Sequence, residues 1–229
     1  LVSALHRVVG ELHLTPSEMR LAVDFLTEVG HYADARRQEW VLLADVLGLS
    51  TLAEDLRAPH QSGATPQTVA GPFYRADAPD LPAGANLSRD GKGAKLTVRG
   101  RALSLSGAPL PGAMVEVWQA NNEGKYENQE PDHQPENNLR GRLRTDAQGR
   151  FWFLTVMPRV YGLPADGPAG RLMTALGLGL ERPAHIHFRV SAPGHARLTT
   201  HIFDRTDPAI GRDAIFGVKP ELLGDFRPV

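Results

Sequence analysis

Arg182-Pro183-Ala184-His185-Ile186-His187-Phe188-Arg189-Val190 holds two histidines two positions apart in a run that otherwise has the composition of a β-strand. Side chains at i and i+2 of a strand point to the same face. Both imidazoles therefore look one way, and Ile186, Phe188 and Val190 form the opposite, apolar face. Such a strand is core on one side and a metal site on the other, provided that other donors converge on the two rings.

The chain has 229 residues, 41% hydrophobic and 22% charged. That is ordinary for a globular protein, and enough for one large domain or for a core domain with a smaller helical one. A formal net charge of −1 gives no electrostatic basis for binding nucleic acid or an acidic membrane surface. The absence of cysteine excludes disulfides, zinc-thiolate sites and iron–sulfur clusters, so a metal here needs His, Asp, Glu or Tyr. No apolar run is long enough to cross a bilayer, and no signal-peptide pattern precedes the first helical segment. The expectation is a cytoplasmic protein.

Residues 1–58 read as a helical domain. Thr15-Pro16-Ser17-Glu18 is a capping box with proline at the first helical position. Behind it Met19, Ala22, Val23, Leu26 and Val29 recur at helical spacing, and Trp40, Leu43, Ala44 and Leu47 form a second stripe ending at Gly48. Thr51 and Glu54 suggest a cap for a short third helix. These stripes suit packing against the main domain or against a partner subunit. Residues 59–95 are rich in Pro and Gly and read as a wrapped connection. Within it Val69-Ala70-Gly71-Pro72-Phe73-Tyr74-Arg75 is an apolar and aromatic island, suited to a binding loop or to pinning the loop onto the core. From Leu96 the pattern turns to short strands with Gly/Pro/Asp turns. Leu96 and Val98, Leu103 and Leu105, Val115 to Trp118, Leu143, Phe151 to Leu154 and Leu198 to Phe203 are the candidates. One helix interrupts near Pro168, with Leu172, Met173 and Leu176. The fold expected is mostly β: an antiparallel β-sandwich or barrel over 96–229, preceded by the N-terminal helical domain.

Four tyrosines are present: Tyr32, Tyr74, Tyr126 and Tyr161. Tyr126 and Tyr161 lie in loops next to the sheet that contains the histidines. A 2-His-1-carboxylate site needs an acid near the pair, yet Ser191, Ala192, Pro193 and Gly194 follow it. A distant carboxylate stays open, and composition alone does not select tyrosine.

Several segments together resemble the intradiol ring-cleavage dioxygenases, non-haem Fe(III) enzymes that open catechols between their hydroxyls. They are Gly71-Pro72-Phe73-Tyr74, Val115-Glu116-Val117-Trp118-Gln119-Ala120-Asn121, Asn138-Leu139-Arg140-Gly141-Arg142 and Arg182 to Phe188. The resemblance covers nearly the whole chain, with the segments in family order. It implies Fe(III) held by Tyr126, Tyr161, His185 and His187. It gives Arg182 the role of stabilising negative charge on the substrate ring. It makes Tyr161 the ligand that leaves the metal and takes a substrate proton. It places Gly71, Pro72, Phe73 and Tyr74 in the pocket wall. It further implies a small aromatic diol or triol and O2 as substrates, and a homodimer joined through the N-terminal helices. The donor set is chemically consistent: a phenol with a free pKa of ~10 needs a strong cation to ionise at neutral pH.

His201 stands where many catechol-cleaving members carry glutamine. With Thr200-His201-Ile202-Phe203, Phe216-Gly217-Val218-Lys219 and Tyr126 to Asp132, it resembles the hydroxyquinol-cleaving subgroup. The expected reaction is hydroxyquinol (benzene-1,2,4-triol) to 3-hydroxy-cis,cis-muconate or its tautomer maleylacetate, with His201 bonding the third hydroxyl. Catechol or chlorocatechol cleavage is the alternative, and a non-catalytic pre-albumin-like sandwich the alternative of another class. For this fold the chain stops early after Lys219, as a short member or with a closing strand beyond Val229. His6, His13, His31, His60, His133 and His195 have no such company and are expected in solvent.

Overall fold

The computed structural model describes residues 1–34, 38–57 and 63–228. Four helices come first: α1 (Val2–Leu12), α2 (Pro16–Tyr32), α3 (Glu39–Val46) and α4 (Leu49–Arg57). Thr15 caps α2 as the capping box requires, its side chain accepting from the Glu18 amide while Glu18 accepts from the Thr15 amide. Thr51 does not cap a helix. It lies inside α4, and its hydroxyl donates to the carbonyl of Ile215 at 2.7 Å. Residues 58–62, where the connection is expected to begin, and with them His60, lie outside the described residues.

The β part contains β1 (Lys95–Arg101), β2 (Met114–Gln119), β3 (Arg140–Arg144), β4 (Arg150–Val156), β5 (Tyr161–Gly162), β6 (Glu181–Arg182), β7 (His185–Ser191), β8 (Leu198–Asp204) and β9 (Leu223–Gly224). One sheet runs in the order β3-β2-β7-β8-β9, antiparallel except for the β8–β9 pair. It faces a hairpin-like pair, β1-β4, and a two-residue ladder joins β5 to β6. Leu103 and Leu105 do not extend β1: the chain turns at Ser104–Gly107, leaving Leu103 a single bridge to Pro109. Helix α5 (Pro168–Ala175) is the expected interruption.

Between the two sheets lies the core. Leu96 and Phe153 from the pair meet Val115, Val117, Ile186 and Phe188 from the five-stranded sheet. Phe153 and Val115 are fully enclosed, and burial of each such side chain contributes about 1.5–3 kcal/mol. A broad groove of about 1540 Å³ opens on this same apolar side, reaching Val98, Phe151 and Phe226. It carries none of the residues that the motifs single out for chemistry. His185 and His187, which alternate along β7 with the core residues Ile186 and Phe188, sit on the opposite face. No described helix is long and apolar enough to cross a membrane.

Candidate metal centre

Strand register builds the site. Arg140, Trp118, His187 and His201 are successive cross-strand partners on β3, β2, β7 and β8. Partners in an antiparallel pair point the same way, so these four form one row on the face away from the core. The row is closely packed: Trp118 stacks on His187 at 4.5 Å between ring centroids, and His201 lies 4.2 Å from His187. His185 is two residues along β7 from His187 and on the same face. Its Nδ1 sits 2.6 Å from the carbonyl of Pro183 and donates to it. That bond leaves Nε2 as the bare nitrogen, and it faces Nε2 of His187 at 3.1 Å.

Tyr126 reaches the same point from the loop after β2. Asn121 tightens that loop, its Oδ1 accepting from the amides of Glu123 and Lys125. The Gln129 side chain then accepts from the Tyr126 amide at 2.9 Å and starts a 3₁₀ turn over Glu127–Gln129. The outcome is a fully buried phenol whose Oη lies 3.0 Å from Nε2 of His187. Tyr161 opens β5, where its ladder partner is Arg182. Nη1 of Arg182 lies 3.4 Å from both Tyr161 Oη and His185 Nε2. Arg182 is 2% exposed and anchored from behind by Asp213, Nε to Oδ1 at 3.0 Å.

The pocket-wall residues divide. Gly71 has φ of 71°, and a Cβ there would sit 3.8 Å from the His187 ring. Phe73 stacks on Tyr126, centroids 4.2 Å apart and 18° between planes. Tyr74 packs beside the same cluster: it lies edge-on to Trp118, donates to Glu116 at 2.8 Å and sits under the Arg189 guanidinium at 3.6 Å. Pro72 is exposed at the loop tip. His6, His13, His31, His133 and His195 are exposed. Asp213, Glu127 and the row position of Arg140 were not legible as parts of a site. Asp213 is 31 residues from Arg182, and nothing in the local pattern marks it.

Electrostatics favour neutral imidazoles here. Burial, then the Arg182 charge, lowers His185 to about 3. Burial holds His187 and His201 well below the ordinary value, with neighbouring histidines and Arg182 adding to it. Tyr126 is pushed up by burial and by Tyr161, with Arg182 and Arg140 opposing. For Arg182 burial works against the cation, but Tyr161 and Asp213 outweigh it and raise its value. The Nε2 atoms of His185 and His187 lie 3.1 Å apart and the Tyr126 oxygen 3.0 Å from the second of them, a cluster of nitrogen and oxygen donors suited to a cation. His185, His187 and His201 each offer a ligand nitrogen, all within 4.8 Å of one another. Among the described residues, neither ring nitrogen of His201 has a hydrogen-bond partner, nor does Nδ1 of His187. The donors present fit a metal ion.

Comparison with known proteins agrees with this chemistry. The family model described as Dioxygenase matches residues 69–229, and the one described as Catechol dioxygenase N terminus matches residues 1–65. A curated hydroxyquinol 1,2-dioxygenase from Rhizobium sp. (strain MTP-10005) is 49% identical over 98% of this chain and 76% of its own length. A 6-chlorohydroxyquinol 1,2-dioxygenase from Cupriavidus pinatubonensis is 41% identical over 99% of this chain and 82% of its own. The solved hydroxyquinol 1,2-dioxygenase of Pseudomonas putida DLL-E4 superposes with a TM-score of 0.95 at 41% identity, covering 99% of this chain and 79% of that one. With both family models matched in order and the fold shared, the chain belongs to the intradiol ring-cleavage dioxygenases.

Proposed function

We propose that this protein is an Fe(III)-dependent intradiol dioxygenase that opens hydroxyquinol between its two adjacent hydroxyls, giving 3-hydroxy-cis,cis-muconate or its tautomer maleylacetate, with both atoms of O2 ending in the product. The observation that carries the reading is the convergence of Tyr126, Tyr161, His185 and His187 on one buried point beside Arg182. Hydroxyquinol is favoured over catechol by the similarity to hydroxyquinol-named relatives and by His201 in the same row as His187.

In this reading Tyr126, Tyr161, His185 and His187 hold the iron. A ferric ion held there would supply Lewis-acid chemistry that activates the aromatic substrate toward O2. The chain's own residues do the rest. Tyr161 Oη accepts a proton from one substrate hydroxyl. Arg182 Nη1, 3.4 Å from that oxygen, holds positive charge where the ring gains electron density, a contribution of several kcal/mol in sites of this type. Asp213 keeps the guanidinium aimed. Trp118, stacked on His187, fixes that imidazole and excludes water. Phe73 forms the wall over Tyr126. His201 offers a ring nitrogen to the third hydroxyl. The exposed stripes on α1 and α2 join two copies into a homodimer.

Oxygen uptake by iron-loaded protein tests the reaction. One O2 per hydroxyquinol, a higher kcat/KM than with catechol, and a visible tyrosinate-to-iron band are expected. A colourless protein with stoichiometric zinc and no uptake with any catechol would refute the assignment.

A further inference from the structure

Arg140 is buried to 1% exposure and stands in the histidine row, yet it neither reaches the converging donor atoms nor belongs to the apolar core. Its Nε donates to Oε1 of Glu127 at 2.6 Å, and its Nη1 donates to the carbonyl of Phe73. Glu127 is 3% exposed and directly follows Tyr126. Phe73 is the ring stacked on Tyr126. One guanidinium thus binds both loops that enclose the phenol, and its carbon lies 5.7 Å from the centre of the phenol ring. Arg75, half-buried, adds a second contact to Glu127 at 3.3 Å.

The arrangement is an expensive one. Two full charges have left water, and among the described residues Arg140 Nη2 and Glu127 Oε2 still lack partners. Apolar residues of similar volume often serve stability as well as a buried ion pair or better. What they cannot supply is a charge beside the Tyr126 ring and two directional bonds to the loops around it.

We propose that Arg140 and Glu127 are positioning residues for Tyr126: the pair sets the plane of the phenol ring and, through the cation near its face, the energy of its electrons toward bound iron. The inference rests on the reading of Tyr126 as an iron ligand. A cation near a phenolate face is attracted by its π-electrons and lowers the energy of those electrons. Transfer of charge from phenolate to metal then requires more energy. An anion at the same distance does the reverse. Arg140 and Glu127 therefore pull the tyrosinate band in opposite directions.

The test uses the visible spectrum of the iron-loaded full chain for wild type, Arg140→Met, Arg140→Lys and Glu127→Gln. Arg140→Met is expected to move the band to longer wavelength, Arg140→Lys to return it toward the wild-type position, and Glu127→Gln to move it to shorter wavelength. Iron content and melting of the iron-free protein are measured alongside. Lower stability or iron content with an unmoved band in Arg140→Met and Glu127→Gln means that the pair only supports the fold, and overturns the proposal. If Arg140→Met does not fold, Glu127→Gln decides: a shift to shorter wavelength supports the proposal, while no shift or the opposite one overturns it. A wild-type protein with stoichiometric iron and no visible band would overturn the iron-tyrosinate reading itself, and this inference with it. A band present but unmoved leaves that reading standing.

Discussion

His201 is enclosed, and among the described residues neither of its ring nitrogens has a hydrogen-bond partner. A buried polar group without a partner costs about 1–3 kcal/mol, and a substrate hydroxyl is a natural partner for it. Replacement by Gln should lower the ratio of kcat/KM for hydroxyquinol over catechol by about tenfold, the equivalent of one hydrogen bond of ~1.4 kcal/mol. An unchanged ratio would mean that His201 only packs beside the site. Asp213 carries a different expectation. Burial raises its carboxyl, but Arg182 outweighs that and the net value lies below the ordinary one. A carboxylate lowered in the folded state stabilises the protein above its unfolded value of ~3.9 and loses that contribution as pH falls through the folded value. Asp213→Asn should therefore weaken the iron-free protein at neutral pH, by about 3–5 kcal/mol for breaking a buried pair. The gap from wild type should close below about pH 4. Urea unfolding at both pH values measures this, and a pH-independent gap would contradict it.

Elements bring together what the chain keeps apart. The turn that carries Asp213 is held by α4 through Thr51 and Ile215, and Lys219 beyond it pairs with Asp55 of the same helix. The helices are thus tied to the arginine that faces the site. On the other side, the Tyr126 loop touches the Tyr161 strand at Gly124. Its φ is 76°, and a Cβ there would lie 2.6 Å from the carbonyl of Val160 and 3.1 Å from Cβ of Tyr161. Gly124→Ala should force the two tyrosine-bearing segments apart. Iron affinity should fall about 10–100-fold, as when partners that orient ligands are lost, and stability by more than about 1 kcal/mol. Metal titration and thermal melting read the two effects, and unchanged iron affinity would show that the loops adjust independently.

At the scale of the molecule, α1 buries none of its residues. Leu5, Val8 and Leu12 form an exposed stripe on it, and Met19, Val23 and Leu26 a second on α2. Scattered apolar residues are normal on a surface, but contiguous stripes mark contact faces. Light scattering should report a dimer for the wild type and a monomer for Leu5→Glu/Leu12→Glu, with melting of the β-sandwich unchanged. A monomeric wild type would remove the homodimer from the functional reading.

Local periodicity alone determined a good deal. Strand alternation put His185 and His187 on one face and Ile186 and Phe188 in the core, because a strand's side-chain period is fixed by its backbone. The capping box placed the start of α2 for a similar reason: its bonds span three residues. Turn residues near Ser104 broke the strand expected at Leu103 and Leu105, and Thr51 found a carbonyl 164 residues away in place of a cap. Tyr126 and Tyr161 were named from family resemblance and not from spacing, since loops have no period. The tertiary structure alone decided the rest. Arg140 and His201 join the histidine row only through the register of β3 and β8, and Asp213 meets Arg182 only because the turn after β8 folds back. Register and loop return are set by packing between distant segments, and no local pattern encodes them.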